Sequence, residues 1–241
     1  MEIKTNALVL RTTQLPGNKL IVDLLTREAG RLSVLCRVSR SGRGAVKKQF
    51  FQPLSILDVD VEQKPTATLA RFKDVRLALP YVSIQTDMLK LPLALFLAEF
   101  LTYATRDEQR NPLLYDYVEQ SLNWLDNATS HFANFHLTFM MHLSLFIGFY
   151  PNLHKESDDE WFDLRSGSFT NIRPSHPDAL EPAEADKIKI LMRMNYENMH
   201  LFKMTREERN RCVSIILYYY RLHIPNFPEL RSLSVLQSLF D

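Results

Sequence analysis

Leu20-Ile21-Val22-Asp23-Leu24-Leu25-Thr26, then Arg27-Glu28-Ala29-Gly30, then Arg31-Leu32-Ser33-Val34-Leu35-Cys36-Arg37-Val38 read as strand, turn and strand. Period two runs through both arms. Leu32, Val34 and Cys36 share one face, Ser33, Leu35 and Arg37 the other, and Asp23 points away from Val22 and Leu24. Such alternation belongs to a sheet with one face on a core, and Glu28-Ala29-Gly30 supplies the turn. The pattern continues outward. Upstream, Ala7 to Arg11 is a strand, set off by the Pro16-Gly17-Asn18 turn. Downstream, Leu54 to Val61 puts Leu57, Val59 and Val61 inward and Asp58 and Asp60 outward; Gln63-Lys64-Pro65 breaks it, and Thr66 to Leu79 forms a fifth strand.

Five short strands within residues 1–80 predict a sheet that curls and closes on itself, the size of an oligonucleotide-binding (OB) barrel; an SH3-like barrel has the same strand count. After Pro80 the period becomes helical. Helices are predicted over Leu91–Ala104, with Pro92 in its first turn, and over Pro112–Leu125, capped by Asn111. Ser130–Phe149, Glu181 to Met194, a helix through Tyr220 opened by a Thr205/Glu208 capping box, and Ser232–Phe240 complete the set. Phe162-Asp163 and Ser168-Phe169 around Ser166-Gly167 predict a small hairpin, anchored by Trp161, Phe162 and Phe169. The fold class is therefore α+β. An OB-type β-barrel over residues 1–80 precedes an all-α domain over 81–241, with an irregular hairpin insertion at 151–181.

At 241 residues, 46% hydrophobic and 24% charged, the chain has the composition of a folded soluble protein. The apolar stretches Leu91–Leu101 and Phe139–Tyr150 are interrupted by Pro92, Glu99 or His142 and fall short of the roughly 20 residues that span a bilayer. Met1 to Lys4 leads into a strand pattern without a secretion signal, so a cytoplasmic location is expected. Cys36 and Cys212 lie far apart and are expected to be reduced and buried.

Charge is divided unevenly along the chain. Residues 1–80 hold 14 Lys and Arg against 7 Asp and Glu, residues 81–241 hold 15 against 21, and the whole carries +1. Arg27, Arg31, Arg37, Arg40, Arg43, Lys47 and Lys48 face only Glu28 within residues 27–48. A field of that density attracts a polyanion and makes its binding salt-sensitive, unless the run is simply a solvated face. Ser39 to Gln49, with Gly42 and Gly44 around Arg43, reads as a cationic loop that can follow a phosphate backbone. Phe50 and Phe51 close it, either as core plugs or with one ring free to stack on a base.

Little in the sequence points to catalysis. No glycine-rich phosphate loop, nucleophile elbow or paired-histidine metalloprotease motif is present, and a non-enzyme is expected. His131, His136 and His142 are spaced by five and six, which does not place them together on one helix face. His154 and His176, with Asp158, Asp159 and Asp163, could ligate a metal only if carboxylates completed the set, so no metal and no cofactor is predicted.

With these elements in place the sequence resembles the RecO family of bacterial recombination mediators. The resemblance is carried by Ala7 to Arg11, Leu24 to Leu32 across the turn, Gln52-Pro53-Leu54, Leu97 to Leu101, Leu143 to Pro151, and Phe162-Asp163-Leu164 with Gly167-Ser168-Phe169. It implies an N-terminal OB domain, a C-terminal helical domain and location on the bacterial nucleoid. It also implies binding of single- and double-stranded DNA, strand annealing, and assistance to RecA loading on strands coated by single-stranded-DNA-binding protein (SSB). RecR and the acidic SSB tail are the implied partners, RecA an indirect one. Many members carry a four-cysteine zinc site near the hairpin; here Asn152, His154 and Arg173 stand there, so Trp161 and Phe169 are expected to pack in its stead.

The residues expected to neutralise phosphates are Arg11, Arg31, Arg37, Arg40, Arg43, Lys47 and Lys48, with Arg71, Lys73 and Arg76 on the fifth strand as a second stripe. Arg193, Lys203, Arg206, Arg209 and Arg211 are candidates for the rim of a groove that takes an acidic peptide. An adaptor whose basic barrel binds an acidic protein is the alternative function.

Overall fold

The computed structural model of the chain describes residues 2–38, 47–64, 67–152 and 160–239. It separates into two compact units, one of Met1–Asn127 with Leu230–Leu236, the other of Ala128–Glu229 with Gln237–Asp241. The first unit contains β1 (Glu2–Leu15), β2 (Lys19–Thr26), β3 (Gly30–Arg37), β4 (Ile56–Glu62) and β5 (Arg71–Leu79), followed by α1 (Lys90–Ala104) and α2 (Pro112–Asn127). The strands form one antiparallel sheet in the order β3-β2-β1-β4-β5. Its outer members meet at a single parallel bridge between Val34 and Ala70, where Leu35 N–H donates to the Ala70 carbonyl at 2.9 Å and Ala70 N–H to the Ser33 carbonyl at 2.9 Å. The arrangement is OB-like, but the expected closure is not a continuous ladder.

β1 runs further than its hydrophobic pattern predicts, because it serves two neighbours in turn. Glu2 to Leu8 pair with β4 and Ala7 to Leu15 with β2, and a register shift at Val9/Arg11 marks the handover. Ala7 and Val9 point into the sheet's own core with Val22, Leu24, Val34, Val59 and Phe51. Leu8, Leu10 and Leu25 lie on the other face and are equally buried, where α1 packs on β1. That second buried face explains the unbroken apolar stretches Ala7–Leu10 of β1 and Leu24–Leu25 of β2.

Two contacts fasten the first helices to the sheet. The β2–β3 turn lies against the α1–α2 connection: Arg31 N–H donates to the Glu108 carbonyl at 3.1 Å, and Arg27 grips Asp116 with Nε at 2.7 Å and Nη2 at 3.0 Å. At the other end of α2, the Asp126 carboxylate accepts the amides of Val82, Ser83 and Ile84 at 2.8 to 2.9 Å. The buried Lys90 ammonium donates to Ser83 Oγ at 2.6 Å and to the Asp126 carbonyl at 3.0 Å. Three backbone amides offset the burial of Asp126 and hold its carboxyl below the usual range.

The second unit holds α3 (Phe135–Phe146), a three-stranded sheet of β6 (Trp161–Asp163), β7 (Ser168–Thr170) and β8 (Ala179–Leu180) in the order β7-β6-β8, α4 (Pro182–Arg193) and α5 (Arg206–His223). A short α6 (Leu233–Gln237) ends the fold. α3 starts later than periodicity predicts, since His131 adopts φ +65° and cannot continue a helix. The capping box at Thr205 forms as expected, Glu208 N–H donating to Thr205 Oγ1 at 3.2 Å and Thr205 N–H to Glu208 Oε2 at 2.7 Å. Phe162, fully buried, sits 4.8 Å from Phe169 and 6.0 Å from Tyr219 between ring centroids. Trp161 is only half-buried and carries the Arg173 guanidinium 5.2 Å above its ring. Phe162, with Asp178 bonded to both Arg165 and Tyr218, anchors this hairpin more than Trp161 does.

Gly30 adopts φ +67°, and a Cβ there would run into the Glu108 carbonyl and the Gln109 backbone. Gly30→Ala is therefore expected to cost about 2 to 4 kcal/mol in urea unfolding, since backbone must move to admit it. His136 is fully buried; burial, and then the positive charge of Arg209, push its pKa down to about 3. The unfolded chain takes up this proton near pH 6.5 and the folded chain does not. Stability is thus expected to fall by about 1.4 kcal/mol for each pH unit between 6.5 and 3 on this residue's account, and His136→Gln should remove that part of the slope.

Candidate nucleic-acid interface

The basic run of residues 27–48 is divided by its hairpin. Arg31 stands opposite Leu25 at one end of β2–β3, and Arg37 stands opposite Lys19 at the other, a separation of about 20 Å at roughly 3.4 Å per residue. At the Arg31 end the cations serve the fold. Arg31 Nη1 donates to the Thr102 carbonyl at 3.0 Å and to Thr105 Oγ1 at 3.3 Å, and burial lowers its pKa from the arginine range. The guanidinium thus faces helix α1. Arg27 is bound to Asp116, which raises its pKa further, and Glu28 links it to Arg110 at 2.7 Å.

The other end is open. Lys19 and Arg37 are direct cross-strand partners on the outer face, Arg37 exposed. Like charges placed so cost roughly 0.2 to 1 kcal/mol, a cost that a bound anion removes. Lys47 and Lys48 are exposed on the way into a short 3-10 turn, Lys48–Phe51. Lys48 lines a cleft of about 370 Å³ with Thr12 and Leu20, the residue next to Lys19. Arg40 and Arg43 lie outside the described residues. Arg11, also exposed, lies 3.7 Å from Asp23 Oδ2, while Oδ1 of the same carboxylate accepts the Ser33 hydroxyl at 2.6 Å.

Beside the Lys19–Arg37 pair the next outward pair along the hairpin is Ile21 with Leu35, both half-exposed. Leu35 also lines a cleft of about 450 Å³ with Ala67, Thr68 and Leu69, and Lys64, Arg71 and Glu62 supply its charged residues. Cations thus adjoin an apolar floor one pleat away. Lys19, Lys64 and the Ile21/Leu35 pair were absent from the sequence-derived set. Their signal was present: period two turns Ile21 and Leu35 to the outer face, where an aliphatic pair has no part in the core.

The fifth strand behaves differently from expectation. Arg71, Lys73 and Arg76 are exposed, but the outer face of β1, β4 and β5 also carries Glu2, Asp58, Asp60, Glu62 and Asp74. Lys73 meets Glu2 at 3.0 Å and Arg76 meets Asp74 at 2.9 Å. This is a charge-balanced face, not a cationic stripe. Of the aromatic pair, Phe51 is buried and stacked 5.6 Å from Phe72, and Phe50 packs half-buried on the same core.

In the second unit, Arg209 is buried with Nη1 on the Met204 carbonyl at 2.6 Å, and Arg211 holds Glu184 through Nε at 2.5 Å and Nη2 at 2.7 Å. Arg206 donates to the Gln237 carbonyl at 2.8 Å. Of the five candidate rim residues Arg209 is buried, whereas Arg193, Lys203, Arg206 and Arg211 are exposed, the last two while engaged with Gln237 and Glu184. His176 Nε2 lies 3.4 Å from Asp163, and His154 is outside the described residues. Among the described residues no group of three or more His, Cys, Asp or Glu is placed to hold a metal ion. Nor is any of their helices long and apolar enough to cross a membrane.

Exchanging Arg27 for Ala is expected to lower stability and leave polyanion affinity within about twofold, because its charge is already neutralised by Asp116. Urea unfolding and an oligonucleotide titration check the two halves of that expectation.

Comparison with known proteins agrees with this geometry. The family model described as recombination protein O N terminal matches residues 1–81, and that of recombination protein O C terminal matches 85–233. The chain is 46% identical over 238 residues to a protein of Phocaeicola vulgatus named DNA repair protein RecO, covering 99% of both chains. Proteins of the same name from Bacteroides fragilis, 45% identical over 99% of each chain, and Azobacteroides pseudotrichonymphae, 36% identical over the whole of both, are also similar. An OB-like sheet with one cationic end, two family models in tandem and full-length relatives together place the chain in the RecO family of DNA repair proteins.

Proposed function

We propose that the chain acts as a recombination mediator that holds single- and double-stranded DNA, anneals complementary strands and assists RecA loading on SSB-coated single strands. The observation that carries this reading is the Lys19–Arg37 pair beside Ile21 and Leu35. Phosphates would be neutralised by Lys19, Arg37, Lys47 and Lys48, with Arg40 and Arg43 between them in the chain. Bases unstacked from a single strand would rest on the aliphatic floor, which a duplex cannot offer. Annealing requires no bond to be made or broken. It requires two polyanions to approach, and a surface that offsets their charge while leaving base edges free lowers that barrier.

In this proposal residues 1–80 carry the DNA contacts and residues 81–241 recruit partners, RecR and the acidic SSB tail, with Arg193, Lys203, Arg206 and Arg211 among the exposed cations. The setting is the cytoplasm, on the bacterial nucleoid. If about five phosphates are contacted on a single strand, log K against log salt has a slope near −3.5. Replacing Lys19, Arg37, Lys47 and Lys48 by Glu should flatten the slope and abolish annealing of SSB-coated strands. Retention of both by that variant would move the site elsewhere.

A further inference from the structure

Two histidines that lie far apart in the chain meet on the surface of the second unit. His131 precedes α3, and His200 sits in a 3-10 turn, Met199–Leu201. Both are exposed, and their ring centroids stand 5.4 Å apart with the planes inclined at 53°. The fold holds the two segments together from beneath. Asn134, buried three residues after His131, donates through Nδ2 to the Met199 carbonyl at 3.0 Å and to the Phe202 carbonyl at 2.8 Å, on either side of His200. Met199 is itself fully buried. His131 keeps a left-handed backbone, φ +65°, which a residue with a Cβ adopts only where its surroundings impose it. Its Nδ1 lies 2.9 Å from the Ser130 hydroxyl, which leaves Nε2 free, and His200 has no hydrogen-bond partner among the described residues.

We propose that His131 and His200 together hold one divalent ion of the late first transition row, the class that imidazole selects: zinc, nickel or copper. A ring centre lies about 1.1 Å from its own nitrogen and a zinc–nitrogen bond measures about 2.0 to 2.1 Å, so each centre stands about 3.2 Å from a shared ion. Two centres 5.4 Å apart then subtend about 115° at that ion, close to the tetrahedral angle of about 109°. The backbone is already in place. The Ser130 hydroxyl steadies the His131 ring through the nitrogen that does not ligate, which is how metal-bound imidazoles are oriented. Among the described residues no third His, Cys, Asp or Glu joins the pair, so water fills the remaining positions. Magnesium and calcium do not suit it, because hard cations take sets of oxygen ligands. The bound ion clips the start of α3 to the turn ahead of α5, and it favours the folded chain, in which alone the two rings are neighbours.

The test is calorimetric titration of the full chain, stripped with EDTA and dialysed, with Zn2+, Ni2+ and Mg2+, joined by electron paramagnetic resonance of the chain carrying one equivalent of Cu2+. Two variants each remove one ring. His131→Asn suits the left-handed backbone, which asparagine tolerates, and His200→Gln changes an exposed side chain. The parent chain is expected to take up one Zn2+ or Ni2+ and no Mg2+, and each variant to bind at least about tenfold more weakly. The Cu2+ spectrum should show splitting by two nitrogens in the parent and lose it in both variants. Should one variant melt early, the other decides. Undiminished affinity in either folded variant, Mg2+ bound as tightly as Zn2+, or a single coordinating nitrogen would overturn the proposal. So would a metal-dependent dimer in sedimentation velocity with one ion for two chains, since the ligands would then come from two copies.

Discussion

The seating of Gly30 against the backbone of Glu108 and Gln109 governs the chemistry of the first unit. Only a residue without a side chain, in a left-handed conformation, lets the β2–β3 turn approach the α1–α2 connection so closely. Once it is there, Arg27 meets Asp116 and Arg31 turns to the end of α1, and both guanidinium groups become part of the scaffold. The turn thereby removes cations from one end of the hairpin and leaves the Lys19–Arg37 end as its free positive pole.

That sorting also explains what the sequence did and did not disclose. Period two made β2 and β3 plain, and the alternation in Leu57, Val59 and Val61 did the same for β4. The basic run, by contrast, looked like one object because charge was counted along the chain. Asp116 lies 89 residues from Arg27, and Thr102 lies 71 from Arg31; no local pattern announces such partners. Lys19 was missed for the complementary reason: it is isolated in sequence and becomes a neighbour of Arg37 only through register. The neutral outer face of β5 arises in the same way, since Glu2 and Glu62 reach it from β1 and β4.

Burial on both faces of β1 accounts for the remaining differences. A strand of fourteen residues, paired first with β4 and then with β2, has no single alternation to follow, so its hydrophobic pattern revealed only the middle. The hairpin of the second unit shows the same limit on a smaller scale. Its three aromatic residues were legible as anchors, but which one turned inward depended on Tyr219, far along α5.

The first unit takes its last piece, Leu230–Leu236, from the far end of the polypeptide. Glu99 accepts the amides of Arg231 and Ser232, which lie 132 and 133 residues further along the chain. The sheet and its two helices are local in sequence, but the clasp on α1 is not. Cutting the chain at the family-model border at residue 81 would therefore not release the first unit as one continuous piece.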